Sequence, residues 1–180
     1  MMQYRRANTP GASYFFTVNL ANRRSKLLTT YTEELRSAFK QTQKNHPFVI
    51  EAIVILPEHL HCILTFPEND ADFATRWRLI KSTFSRAIPK TERISQSRLQ
   101  KSERGIWQRR YWEHLIRDEN DFEKHVNYIH FNPVKHRHVS APVEWPHSSI
   151  HRAIREGITP SNWAAENEID GNFGEPPSSK

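Results

Sequence analysis

A single cysteine, Cys62, among 180 residues rules out an internal disulfide and any zinc cluster built from cysteine alone. A reducing compartment is the matching expectation. No apolar run is long enough to span a bilayer, and no stretch of signal-peptide length follows Arg5 and Arg6. The expected protein is soluble and cytoplasmic. Acids are scarce in one place: from Arg76 to Arg117 there are twelve Lys or Arg against three acids, so this segment carries +9 and the remainder −3 of a net +6. With a pI of 9.6, that concentration is the footprint of a polyanion binder, nucleic acid above all, because each neutralised phosphate releases condensed counterions. The bland alternative is a solvated basic loop with no ligand.

The length fits one domain with its own core, and we place it at residues 1–156, followed by an acidic tail at 157–180. Residues 1–13 read as an extended arm. Tyr14 to Leu20 (YFFTVNL) alternates as a strand, with Phe16 and Val18 on one face and Phe15, Thr17 and Asn19 on the other. Thr32 to Lys44 reads as an amphipathic helix with Thr32 as N-cap. Phe48 to Leu56 is rich in β-branched residues, and Pro57-Glu58 reads as a tight turn into a second strand-like run. A helix from about Asp72 to Ile88 follows, its stripe of Phe73, Trp77, Ile80, Phe84 and Ile88 being core rather than a ligand box. Residues 90–105 lack apolar periodicity and are expected to form a flexible basic insert. Trp107 to Arg117 alternates as a fourth strand.

The second strand opens with His59-Leu60-His61. Residues two apart on a strand share a face, so both imidazoles can aim at one ion while Leu60 and Cys62 point into the core. With 10 histidines in the chain such a pair also arises by chance, and two imidazoles do not close a coordination sphere. A third ligand has to come from elsewhere. Asp118 caps a last long helix expected to close at Asn132-Pro133. On it Phe122, Val126 and Ile129 form the expected buried stripe, and Asp121, His125, Tyr128 and Asn132 lie along the adjoining, half-buried flank. His147 to Glu156 reads as a short final helix, and the tail from Glu156 carries five acids against Lys180, enough to repel nucleic acid or cover the basic segment. The order strand, helix, strand, strand, helix, strand, helix is that of a ferredoxin-like antiparallel sheet with helices packed on it, an α+β fold. That fold hosts many functions.

Taken together, Pro57-Glu58-His59-Leu60-His61 and Tyr128-Ile129-His130-Phe131-Asn132-Pro133-Val134-Lys135-His136 resemble the REP-associated tyrosine transposases, single-tyrosine members of the His-hydrophobe-His nucleases. The likeness extends through Arg76-Trp77-Arg78-Leu79-Ile80-Lys81, Ile106-Trp107-Gln108-Arg109-Arg110, Trp112-Glu113-His114 and Trp145-Pro146-His147-Ser148-Ser149. It departs at Arg137-His138, where glycine and an aliphatic residue are expected, and at Ala12, where a second glycine is common. The resemblance implies that His59 and His61 bind a divalent metal, Mg²⁺ or Mn²⁺, that Asn132 adds a third ligand, and that Tyr128 is the nucleophile. It further implies a single-stranded hairpin DNA substrate held by Arg5, Arg6, Arg76, Arg78, Lys81, Arg109, Arg110 and Lys135. The covalent intermediate would be a 5′-phosphotyrosine; no base stands out beside Tyr128, so the metal or a nearby positive charge is read as favouring the phenolate, with His125 and His130 as secondary candidates. A monomer is expected, a dimer being the alternative. Two rival readings remain: a non-catalytic DNA- or RNA-binding module of RRM-like fold, against which the sheet lacks an RNP-type aromatic run, and a metal-dependent phosphoesterase that uses water.

Overall fold

In the computed structural model, which describes residues 8–163 and Phe173, the alternating stretch near the N-terminus becomes β1 (Ser13–Asn19), an inner strand with six of its seven residues buried. It is followed by α1 (Leu27–Thr30), α2 (Thr32–Asn45), β2 (Val49–Ile55), β3 (His59–Thr65), α3 (Phe73–Ala87), α4 (Gln96–Leu99), β4 (Trp112–Leu115), α5 (Glu119–Lys135), a 3-10 turn (Pro142–Glu144) and α6 (Ile150–Arg155). The four strands form one sheet in the order β2-β3-β1-β4, with every neighbouring pair antiparallel. This is the ferredoxin-like α+β arrangement. Among the described residues, no helix is long and apolar enough to cross a membrane.

Period-two alternation along β1 divides the molecule. Tyr14, Phe16, Val18 and Leu20 join Leu60, Cys62 and Leu64 of β3 in a core closed by Leu35 and Phe39 of α2 and by Phe73, Trp77, Ile80 and Phe84 of α3. Each such side chain, fully buried, contributes about 2 kcal/mol. On the opposite face Phe15, Ala52, Val54 and Ile63 pack beneath Tyr128 and Ile129 of α5. The free edge of β2 is covered by chain from its far end: His147 and Ser149 exchange backbone hydrogen bonds with Ile55 and Ile53.

Several expectations shift. The hydroxyl of Thr32 donates back to the carbonyls of Leu28 and Thr29, so Thr32 extends the preceding turn and the cap position is Tyr31. Asp72 and Asp118 do cap α3 and α5, accepting from the backbone N–H groups of Thr75 and Asp121. Of the expected fourth strand, residues Trp112–Leu115 form a continuous ladder with β1, while Gln108 and Ile116 make single backbone hydrogen bonds to Asn19 and Ser13 at its two ends. The basic insert holds a helical turn, α4, and Arg104 within it anchors to the end of α3, donating to the carbonyls of Ser85, Ile88 and Pro89 and pairing with Glu92. Ser85 belongs to the last turn of α3 and Ile88 and Pro89 follow it directly, so the guanidinium satisfies carbonyls where the helix ends.

Helix α5 does not stop at Pro133 but runs through it to Lys135. A Schellman arrangement then closes it: Arg137 N–H donates to Val134 O and His138 N–H to Pro133 O. Arg137 sits at φ 58°, the left-handed conformation for which glycine is suited and which costs another residue about 1 kcal/mol. The residue where the chain departs from its expected glycine is therefore the one whose backbone asks for it. The helix is also turned relative to expectation, since Asp121, His125, Tyr128 and Asn132 are buried while Phe122 and Val126 are half-buried. Of the apolar stripe only Ile129 is fully buried against the sheet, and the polar flank faces it beside Ile129.

Candidate functional site

The register of β1 against β3 sets Asn19 opposite His59, Thr17 opposite His61 and Phe15 opposite Ile63, all directed at α5. Both imidazoles are fully buried, with ring centroids 4.9 Å apart. Their neighbours fix their tautomers. A carboxylate only accepts, so the 3.0 Å contact between His59 Nδ1 and Glu58 Oε1 places the proton on Nδ1 and the lone pair on Nε2. Although burial alone would raise it, the hydrogen bond from His59 and the charge of Arg23 keep the Glu58 carboxyl below its usual range. Thr17 Oγ1 donates its one proton to the carbonyl of Phe173 at 2.5 Å, so at 2.8 Å from His61 Nδ1 it must accept, and His61 Nε2 also carries a lone pair. Two neutral imidazoles with Nδ1 tied back and Nε2 as donor are the form in which histidine binds a metal. The donor set fits a divalent cation.

From the other side α5 lowers Tyr128 onto this pair, its ring 5.3 Å from that of His61 and 6.0 Å from that of Phe15. Asn132, one turn further, is completely buried on the same flank. Lys135, two turns on, donates from Nζ to Tyr128 Oη at 3.0 Å and stands 4.6 Å from the ring centroid. His136, beyond the last turn, brings its ring to 5.1 Å from that of His59. Phe173 lies over the assembly, 4.5 Å from the Tyr128 ring and 4.6 Å from that of His125. The rest of the tail beyond residue 163 falls outside the described residues.

His59, His61 and Tyr128 are thus brought to one place, with Asn132 buried one helical turn beyond Tyr128. Thr17, Glu58, Lys135 and His136 join them, unassigned or assigned elsewhere by the sequence; the facing of Thr17 on β1 was a usable signal, whereas nothing local marks His136. His130 is directed away, bonded to Ser149 Oγ at 3.0 Å, and burial pushes its imidazole down to about 4. His125 Nδ1 donates to the backbone carbonyl of Asp121. The positive charge on the phenol is that of Lys135.

The expected nucleic-acid contacts divide. Arg76 is a correction: it is 1% exposed, and its guanidinium is held by Asp70 and by the carbonyls of Asp72 and Pro47. A cation enclosed by its own fold cannot meet a phosphate. Lys81 is half-buried, donates to Gln108 O, and burial brings its ammonium down to about 8. Arg78, Arg109 and Arg110 are exposed, with Arg109 paired to Glu103. Arg5 and Arg6 fall outside the described residues. A cavity of about 760 Å³ lined by Trp77, Lys81, Arg98, Arg104, Trp107 and Tyr111 belongs to the opposite side of the sheet, where Trp77 and Trp107 pack in the α2–α3 core. It is not where the histidines and the tyrosine meet.

Comparison with known proteins agrees with this geometry. The family model for IS200-like transposases matches residues 11–132. A REP-associated tyrosine transposase of Escherichia coli (strain K12) is 46% identical over 166 residues, 92% of this chain and 93% of that protein. A protein of Haemophilus influenzae named for the same activity is 45% identical over 170 residues, 94% of this chain and 97% of its own. Among solved structures, a REP-associated tyrosine transposase bound to a REP hairpin superposes with a TM-score of 0.86 at 44% identity, covering 99% of this chain and all of that one.

Proposed function

Because the chain belongs to the IS200-like transposases, among the REP-associated tyrosine transposases, we propose that it cuts and rejoins single-stranded hairpin DNA through a covalent bond to Tyr128. The observation that carries this reading is Tyr128 Oη, held by the Lys135 ammonium above an imidazole whose Nε2 is a lone-pair donor. The relative bound to a REP hairpin supports the substrate class. Exposed Arg78, Arg109 and Arg110 supply cations for its phosphates. The enzyme is read as a monomer acting in the cytoplasm.

In the forward step the Tyr128 oxygen gives up its proton to solvent and attacks phosphorus. The bond from phosphorus to the 3′ oxygen breaks, that oxygen leaves as a 3′-OH after taking a proton from water, and a 5′-phosphotyrosine remains. In the reverse step a 3′-OH attacks the adduct and the phenolate leaves. Its ordinary pKa of about 10 makes a phenol a better leaving group than an alkyl alcohol, so joining needs no ATP. Lys135 stabilises the negative oxygen in both directions. A divalent cation of the Mg²⁺ or Mn²⁺ class, held by His59, His61 and Asn132, would supply charge to the non-bridging oxygens of the scissile phosphate.

The test uses an end-labelled single-stranded palindromic hairpin, incubated with the protein and Mn²⁺ or Mg²⁺ and run on a denaturing gel. An SDS-resistant, protease-sensitive adduct that disappears with EDTA is expected. Cleavage without an adduct would establish water as nucleophile, and tight binding without cleavage in any metal would establish a binding module. Lys135→Met should slow adduct formation about tenfold, less than loss of a buried oxyanion donor because Lys135 is exposed to solvent. An unchanged single-turnover rate would remove Lys135 from the chemistry.

A further inference from the structure

Apart from the histidine pair, the described residues hold one other convergence of ligating side chains. His114 on β4 and Asp121 and His125 on the first two turns of α5 can each offer one ligand atom, all within 4.8 Å of one another. Asp121 is 9% and His125 2% exposed, and His114 is half-buried. Asp121 Oδ2 accepts from His114 Nε2 at 2.8 Å, and its Oδ1 lies 3.2 Å from His125 Nδ1. The two imidazoles stack, 4.7 Å between centroids and 17° between planes.

A hydrogen-bond network alone would use every buried nitrogen, and this one does not. His125 Nδ1 already donates to the backbone carbonyl of Asp121 at 2.7 Å, so Nε2 bears the lone pair, and among the described residues that buried atom has no hydrogen-bond partner. Burial pushes the His125 imidazole below its usual value, towards neutrality. For Asp121 burial acts upward, but hydrogen bonds from His114 and Arg117 prevail and hold the carboxyl at about 2. A carboxylate and a neutral imidazole are the forms that ligate a cation.

We propose that His114, Asp121 and His125 form a second divalent-cation site, of the Zn²⁺ class, that fastens edge strand β4 to the helix carrying Tyr128. Two imidazole nitrogens and one carboxylate oxygen suit Zn²⁺, Co²⁺ or Mn²⁺, whereas Mg²⁺ prefers oxygen and water. The ion takes the place of the proton shared by His114 and Asp121, which is released to solvent, and His125 contributes Nε2, the nitrogen that bears the lone pair. The competing cation is Arg117, whose Nε is 3.3 Å from Asp121 Oδ2; its side chain is 71% exposed and can turn to solvent. The ring of Phe15 stands between this cluster and the first pair, 4.8 Å from His125 and 5.5 Å from His61, so the two sites are separate.

Stoichiometry decides the matter. Calorimetric titration of the full chain with Zn²⁺, and Co²⁺ titration followed by its ligand-field absorption, should give two equivalents. His59→Ala/His61→Ala should keep one, and His114→Ala in the otherwise natural chain should also keep one. Adding His114→Ala or Asp121→Asn to the double variant should weaken the remaining binding at least 100-fold. Zn²⁺ at a hundred times its Kd should raise the melting temperature of the double variant by roughly 5–10 °C, an effect absent once His114 is replaced. A single equivalent in the natural chain, or a second equivalent that survives His114→Ala, overturns the proposal. Because the double variant already lacks the first pair, either result leaves the tyrosine chemistry to be judged by its own adduct.

Discussion

Tyr128→Phe is expected to abolish the protein–DNA adduct, a loss of roughly 10⁴-fold or more in strand cleavage, while hairpin affinity stays within about twofold. The substitution removes one oxygen and little else. The ring keeps its place against His61, Phe15 and Phe173, so the volume packed beneath α5 is conserved and the fold should hold. What disappears is the atom that must bond to phosphorus. The nearby Thr17 hydroxyl cannot substitute, because it is engaged with His61 Nδ1 and the Phe173 carbonyl and because an alkyl alcohol is a poor leaving group for the return step. The measurement is the labelled-hairpin gel beside a filter-binding titration. Residual cleavage near the original rate would show that water or another side chain attacks.

Arg76→Met should lower unfolding free energy by about 3 kcal/mol, a drop of roughly 6–12 °C in melting temperature, and leave the hairpin affinity of the folded protein unchanged. The guanidinium is enclosed, donating to Asp70 Oδ1 at 3.1 Å and Oδ2 at 2.7 Å, to Asp72 O at 3.0 Å and to Pro47 O at 2.7 Å, with the Phe66 ring 5.1 Å away. Methionine fills much of the space but satisfies neither carbonyl, and it leaves Asp70 without its partner. Asp70 is one-third exposed, so water relieves that carboxylate, and the larger share of the cost falls on the two carbonyls. Urea denaturation gives the stability and a salt-dependent binding titration the affinity. A stable variant that binds the hairpin more weakly, with a shallower salt slope, would return Arg76 to the DNA face.

Local pattern sufficed for much of the architecture. Alternation in Tyr14 to Leu20 specified which of its residues share a face, and the spacing of Phe73, Trp77, Ile80 and Phe84 specified the buried side of α3, because side-chain direction on a strand or helix is set by backbone geometry alone. The pairing of His59 with His61 belongs to the same class, as does the neighbourhood of Tyr128 and Asn132 one helical turn apart.

Other features depended on where elements meet. Charge along the chain does not tell a cation that faces solvent from one the fold encloses, and Arg76 and Arg78, two residues apart on α3, end in opposite situations. Hydrophobic periodicity would have buried Phe122 and Val126, yet the sheet opposite α5 offers the two histidines and the hydroxyl of Thr17, and so α5 turns its polar flank inward. Lys135 comes to Tyr128 only because α5 passes through Pro133 instead of ending there. His114 meets Asp121 and His125 only because β4 pairs with β1 beside the start of that helix. The sequence by itself determined the main strands and long helices, the strand faces and the motif residues, since these follow from short-range geometry, but not the short turns α1 and α4 or the ends of β4 and α5. The tertiary structure decided the tautomers, the phenol's cation and the second cluster, because hydrogen bonds and electrostatic contacts fall off within a few ångströms and join groups that the chain keeps far apart.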